Sequence, residues 1–265
     1  MKIYISSDIE GTAGIVAWEE TELHEAKGDY FRAQMSREVA AACRGALAAG
    51  ADELLVKDAH DHARNIDPAA LPEQAQILRS WTRDPYVMMA GLDGSFAGAF
   101  YTGYHSGAGT DTNPLAHTMS LQNNYVLING QKASELHLNM LSAAYLGVPS
   151  LLVSGDAGLC EWAAQFNPGM ETVPVSRGMG GGSVSIHPEL AVRRIEEAAK
   201  RALDKDISRL IPELPDVFNV EINFRDHVAA YKASFYPGIV KHGAHTVSYR
   251  ATDWYEVLRM MFFVL

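Results

Sequence analysis

Ser6-Ser7-Asp8-Ile9-Glu10-Gly11 puts two carboxylates where an apolar segment ends. Residues i and i+2 of a strand point to one side, about 6.6 Å apart along the backbone, so both side chains can converge on two cations ~3.5–4 Å apart. Without a cation such like charges repel. The competing reading is an Asp8 that caps a turn beside a solvated Glu10. Asp58-Ala59-His60-Asp61-His62 follows the apolar segment Leu54–Val56, and Gly103-Tyr104-His105-Ser106-Gly107 ends another. Imidazole together with carboxylate suits zinc or a similar divalent ion. A single histidine after a strand is ordinarily a surface or hydrogen-bonded residue, but three successive strand ends bearing His or carboxylate form a pattern.

Glu135 and His137 both fall at the start of an expected helix, two residues apart, so they face different ways and one of them at most serves a shared site. Spacing leaves that choice open, because the macrodipole favours a carboxylate at a helix N-terminus without any metal. His117 lies in the Gly/Asn/Pro-rich loop after the third strand end, and such loops often carry function. No HExxH and no GxSxG occurs, which removes the helix-borne zinc protease motif and the commonest serine-hydrolase elbow. Gly178-Met179-Gly180-Gly181-Gly182-Ser183 lacks the Gly-Lys-Ser/Thr of a phosphate loop and has Ser183 where a dinucleotide fingerprint needs glycine, so it reads as a flexible connector. His187, His227, His242 and His245 lack carboxylate-rich surroundings and take core or surface roles.

These residues need elements to hold them. Lys2–Ser6 reads as a buried strand, Asp29–Ala48 as a helix with Phe31, Met35, Val39, Ala42, Cys43 and Ala46 on one face, and Glu53–Val56 as a second strand, a βαβ unit. The connection over residues 11–28 is long enough to suggest function. Ala97–Tyr104 and Tyr125–Ile128 read as strands, the latter closing on an Asn129-Gly130 turn. Ser134 opens a helix to about Leu146, before the strand Ser150–Val153, so a second β-then-α unit is expected. A helix over Pro188–Leu203 and a strand over Asp216–Asn223 come next. The last helix, after Thr252, carries Trp254, Val257, Leu258, Met261, Phe262 and Leu265 as one stripe with Met260 and Phe263 off it, an excess that suggests a subunit contact. The fold expected is α/β: a mostly parallel central sheet with flanking helices, the site at the carboxyl ends of the strands, and a smaller C-terminal α+β portion. Residues 1–265 are read as a single unit, with a subdivision near 205–215 as the point where the two parts would divide.

The chain has 265 residues and a formal charge of −10. That balance argues against a nucleic-acid partner, which needs clustered Lys and Arg. No apolar run approaches the ~18 residues of a membrane span, and an acid at Asp8 precedes any signal-peptide apolar stretch, so a cytoplasmic protein is expected. Two cysteines exclude a disulfide framework and a CxxC site.

Taken in order across the chain, Ser6-x-Asp8-x-Glu10-Gly11, Asp58-Ala59-His60, Gly103-Tyr104-His105 and Asn129-Gly130 upstream of Glu135 closely resemble the D-aminopeptidase family of the DppA type, peptidase family M55. The resemblance implies a metal-dependent aminopeptidase with two zinc ions per chain, acting on short peptides with an N-terminal D-residue through a metal-activated water. It implies metal ligands at Asp8, Glu10, His60, His105 and Glu135, with Asp8 bridging, and a catalytic role for His117. It takes Glu135 over His137. A homodecamer of two stacked pentameric rings, with active sites facing an inner cavity, is implied as well. The alternatives are another two-metal hydrolase such as a phosphoesterase, which would want Lys or Arg near the site where the motifs offer only Lys57 and Arg64, and a non-catalytic metal or small-molecule binding protein.

Overall fold

Apolar alternation along the first segment decides the layering. In the computed structural model, which describes residues 1–265, β1 (Lys2–Ser7) sends Ile3 and Ile5 to one face and Tyr4 to the other, all fully buried. Then come α1 (Gly28–Ala48), β2 (Glu53–Asp58), β3 (Ala75–Leu78), β4 (Gly98–Tyr104), β5 (Asn123–Ile128) and β6 (Gln131–Lys132). The chain continues through α2 (Glu135–Tyr145), β7 (Ser150–Asp156), α3 (Ala157–Phe166), β8 (Glu171–Met179), β9 (Gly182–Ser185) and α4 (Pro188–Leu203). It ends with β10 (Phe218–Phe224), α5 (His227–Ala233), β11 (Val240–His242), β12 (Thr246–Ala251) and α6 (Trp254–Val264).

A seven-stranded sheet has the order β3-β2-β1-β4-β7-β8-β9, parallel except for the β8–β9 hairpin. The strand order reverses between β1 and β4, and a crevice opens beyond the carboxyl ends at such a point. α1 and α4 cover one face over a core that includes Ile3, Ile5, Val39 and Ile195, and α2 and α3 lie over the other with Tyr4, Tyr101, Leu136 and Cys160. Cys43 and Cys160 are both free and buried. No helix is long and apolar enough to cross a membrane.

The second sheet, β11-β12-β10-β5-β6, is antiparallel. The strand expected at 125–128 therefore does not share a sheet with the strand at 150–153: β5 pairs with β10, Val220 opposite Ile128 and Ile222 opposite Val126, almost a hundred positions away in the chain. The Asn129-Gly130 turn forms as the pattern indicated, with φ of +50° and +83°, as a two-residue hairpin between β5 and β6 requires. The glycine-rich stretch at 178–183 is not a flexible connector. Met179 pairs with Gly182 across Gly180 and Gly181, Gly180 has a φ of +59°, and the Gly178 N–H donates to the Thr112 carbonyl at 2.8 Å.

Most of the apolar surface of α6 is covered within the chain. Trp254, Val257 and Met260 are fully buried within this chain, the Trp254 indole N–H donates to Ser142 Oγ at 3.0 Å, and its ring meets Phe218 at 5.0 Å. The apparent excess of apolar residues fills the core between α2 and the second sheet, leaving Phe263 as the large side chain in the open.

Candidate metal centre

β1 stops at Ser7, so Asp8 and Glu10 are not successive same-side residues of a strand. Asp8 N–H still donates to the Thr102 carbonyl at 2.9 Å, its own carboxylate accepts from Ile9 N–H at 2.9 Å, and the chain turns with Thr12 N–H on the Ile9 carbonyl. The turn lies against the end of β4 so closely that two glycines are obligatory. A Cβ on Gly11 would stand 1.8 Å from the Tyr104 oxygen, and one on Gly103, whose φ is +68°, would stand 2.2 Å from the Asp8 oxygen. Glu10 thereby enters the crevice from above β4 rather than by strand periodicity.

Around these two carboxylates the structure gathers His60 after β2, His105 after β4, His117 from the following loop and Glu135 from the first turn of α2. His60 Nδ1 lies 3.3 Å from Asp8 and 3.0 Å from Glu10. His105 Nε2 lies 3.4 Å from both Asp8 and Glu135, and His117 Nε2 is 3.5 Å from Glu135 and 3.9 Å from Glu10. The opposite nitrogen of each ring is held by a main-chain carbonyl: Thr21 at 3.2 Å for His60, Ser106 at 3.0 Å for His105, Leu115 at 3.0 Å for His117. A carbonyl only accepts, so each of those nitrogens carries a proton, and the nitrogen facing the carboxylates is the one that could give a lone pair to a metal. Histidines that bind metals are oriented in this way.

The remaining polar atoms agree. Asp8 Oδ2, Glu10 Oε2 and His105 Nε2 are buried with no hydrogen-bond partner, a costly state for a polar atom unless something else satisfies it. Burial and the neighbouring Glu10 charge push Asp8 up to about 6. Burial would also raise Glu10 and Glu135, but the facing imidazoles prevail, holding Glu10 well below the usual range and Glu135 down to about 2. His60 and His105 are disfavoured as cations by burial, yet Glu10 and Glu135 respectively raise them well above the ordinary histidine value. Protons thus balance the carboxylates when nothing else does, and a divalent cation displaces such protons on binding. The donor set of imidazole and carboxylate fits zinc. Three overlapping groups have donor atoms within 4.8 Å of one another: Asp8, Glu10 and His60; Asp8, His105 and Glu135; Glu10, His105 and His117.

The other sequence candidates are elsewhere. His137 packs against Trp162 and Phe166 at 5.0 and 4.8 Å, and burial alone lowers it to about 4. Asp58 is occupied by N–H groups of Asn65 and Ile66, which shapes the loop carrying His60. The Lys57 ammonium is turned onto the Asp58 and Ser80 carbonyls, and no Lys or Arg lines the cleft. Sequence reading missed Thr21, which orients His60, as well as Trp18, whose ring meets His117 at 5.4 Å, and Met119, whose N–H donates to Glu135 at 2.7 Å. Thr21 and Met119 act through backbone atoms that any residue possesses, so residue type carries no signal for them.

The sequence model of the peptidase M55 family, described as D-aminopeptidase, matches residues 1–263. The chain is 32% identical over 267 residues to the D-aminopeptidase of Bacillus subtilis (strain 168), spanning 98% of this chain and 95% of that protein. It is also similar to the solved structure of the Zn-dependent D-aminopeptidase DppA from Bacillus subtilis, a self-compartmentalizing protease, with a TM-score of 0.91 at 29% identity over 98% of this chain and 95% of that one. With its crevice residues in hand and a match along nearly its whole length, the chain belongs to the M55 family of D-aminopeptidases.

Proposed function

We propose that this protein is a zinc aminopeptidase that removes an N-terminal D-residue from short peptides or amides. The observation that carries this reading is the set of three histidines, each pinned by a backbone carbonyl on one nitrogen and facing buried carboxylates with the other. Asp8, Glu10, His60, His105 and Glu135 are the proposed ligands. Two ions per chain are proposed because Asp8 belongs both to the group with Glu10 and His60 and to the group with His105 and Glu135, which suits a bridging carboxylate. When bound, zinc supplies Lewis acidity, which activates water and polarises the scissile carbonyl.

The chain's own residues do the rest. His117, with its side chain 14% exposed against 10% for His60 and 0% for His105, is the most open imidazole of the cluster. Its Nε2 is therefore assigned to take a proton from the attacking water and return it to the leaving amine. Glu22 and Asp61, exposed at the cleft mouth, attract the ammonium end of a peptide and repel its carboxylate end. Trp18, Thr21 and Glu22 of the loop over 11–28 line one side of the cleft.

The reading extends to a cytoplasmic homo-oligomer, proposed as a decamer of two stacked pentameric rings enclosing the sites. Its support is the self-compartmentalizing relative, the buried free thiols, and an exposed apolar patch of Val228 and Tyr231 on α5 with Phe235 in the turn after it. Zinc-loaded protein assayed on matched D- and L-aminoacyl amides and dipeptides, with metal content measured on the same sample, tests the function. Turnover that favours the D-series and disappears with the metal supports it. Metal-loaded protein inert toward every member of both series overturns it.

A further inference from the structure

An apolar cavity of about 240 Å³ adjoins the metal cleft, and nine of the thirteen residues lining it are hydrophobic. Trp81, Val87 and Met119 line both spaces, so the two adjoin along these side chains. The opposite side comes from Leu138 on α2 and from Leu258 and Met261 on α6.

Two of these three residues are held in place against their own conformational preference. Val87 and Met119 have φ of +47° and +62°, a region a β-branched or bulky residue seldom enters. Met119 is the centre of a turn closed by Ser120 N–H on the Thr118 carbonyl at 2.7 Å, and its own N–H is spent on Glu135. The Trp81 indole N–H donates to the Asp61 carbonyl at 2.6 Å while the Lys57 ammonium sits 4.3 Å from the centre of its ring. Backbone strain persists where the surroundings over-determine it, and it concentrates at ligand clamps.

We infer that this cavity is the subsite for the side chain of the substrate's N-terminal residue, and that it selects large apolar D-residues, the size of leucine or phenylalanine, over D-alanine. The inference rests on the aminopeptidase reading above. With the α-amine and the scissile carbonyl both at the carboxylate and histidine cluster, the Cα between them must direct its side chain at the cleft wall. Trp81, Val87 and Met119 are the part of that wall the cleft shares with the apolar cavity, and the remainder of the peptide leaves through the polar mouth. A methyl group removes little of this surface from water, whereas a leucine or benzyl side chain removes far more.

Zinc-loaded protein assayed on D-alanine, D-leucine and D-phenylalanine amides should show kcat/KM for D-leucine amide at least tenfold above D-alanine amide, the scale on which an apolar pocket discriminates. Leu258→Trp, on the far side of the cavity, should collapse that ratio to about one. Calorimetric titration with the free products D-leucine and D-alanine should show the same order and the same collapse, which reads the subsite without turnover. A wild-type preference for D-alanine overturns the inference, as does an unchanged ratio in Leu258→Trp protein with native circular dichroism. If that variant does not fold, Phe262→Ala enlarges the cavity from its half-exposed rim and should raise the D-phenylalanine to D-leucine ratio; an unmoved ratio is equally fatal. Turnover of D-alanine amide without gain for the larger residues sinks the subsite alone, whereas no turnover of any aminoacyl amide or dipeptide sinks the aminopeptidase reading and the subsite with it.

Discussion

The rings of His105 and His117 stack 4.4 Å apart and within 11° of parallel, each giving its Nδ1 proton to a backbone carbonyl and presenting Nε2 to Glu135. The two imidazoles are chemically alike, and what separates them is access, since the His105 side chain is wholly enclosed while that of His117 reaches the cleft.

That difference predicts a division of labour. His117→Ala should lower kcat by about 10²- to 10⁴-fold, the usual worth of general acid/base help, while zinc content stays close to wild type. His105→Ala should lose zinc and activity together. Elemental analysis alongside turnover decides it, and loss of zinc in proportion to activity in His117→Ala would make His117 a ligand.

Metal stoichiometry is the second expectation. Wild-type protein should hold two zinc ions per chain, and Asp8→Ala should lose both because Asp8 is shared between two donor groups. A fully loaded wild-type site with one ion, or an Asp8→Ala protein with undiminished metal, contradicts the bridging role.

Gly103→Ala tests the junction of β1 and β4. A left-handed backbone at a non-glycine residue costs roughly 1–2 kcal/mol, and the added Cβ, 2.2 Å from the Asp8 oxygen, must displace the segment that carries Asp8. Reduced zinc content and a lower denaturation midpoint are expected together. A variant with native values of both would show that the close approach is dispensable.

Glu38 gives the pH dependence. Fully buried on α1, it accepts hydrogen bonds from Gln34 at 2.9 Å and Ala13 N–H at 3.1 Å, but burial prevails and pushes it up to about 7 from an ordinary 4.5. The folded state therefore holds this proton more tightly than the unfolded chain. Its contribution is fully present below pH 4.5 and is lost as pH rises through about 7, roughly 3 kcal/mol over the whole interval. Glu38→Gln should remove that decline, so the stability difference between variant and wild type should grow in the variant's favour from pH 5 to pH 8. Parallel pH profiles of the two proteins in denaturant melts would refute the assignment.

Light scattering at micromolar concentration should give a mass near ten times the 28.9 kDa chain, and Tyr231→Asp on α5 with Phe235→Asp in the turn after it should reduce it. A wild-type mass near that of one chain contradicts the enclosure of the sites, while an assembly indifferent to the double variant contradicts only the part given to α5.

The sequence by itself determined the strands that lead into Asp8, His60 and His105, because a buried strand reads as an apolar run and the polar residues just past its end stand out. It determined the Asn129-Gly130 turn, the Ser134 cap of α2 and Pro188 at the start of α4, where local backbone chemistry restricts residue type, while the His187 cap of α4 was missed. It also determined the α/β class, from the order in which strand and helix patterns alternate. Tertiary structure alone decided that β5 joins β10 instead of the parallel sheet, since pairing between distant segments leaves no mark on either one. It decided that α6 packs inside the chain, because an apolar residue looks the same whether a core or a neighbour covers it. Glu135 rather than His137 faces the cluster for the same kind of reason: both occupy the first turn of α2, and the direction from which β4 and the 113–120 loop approach that turn selects between them.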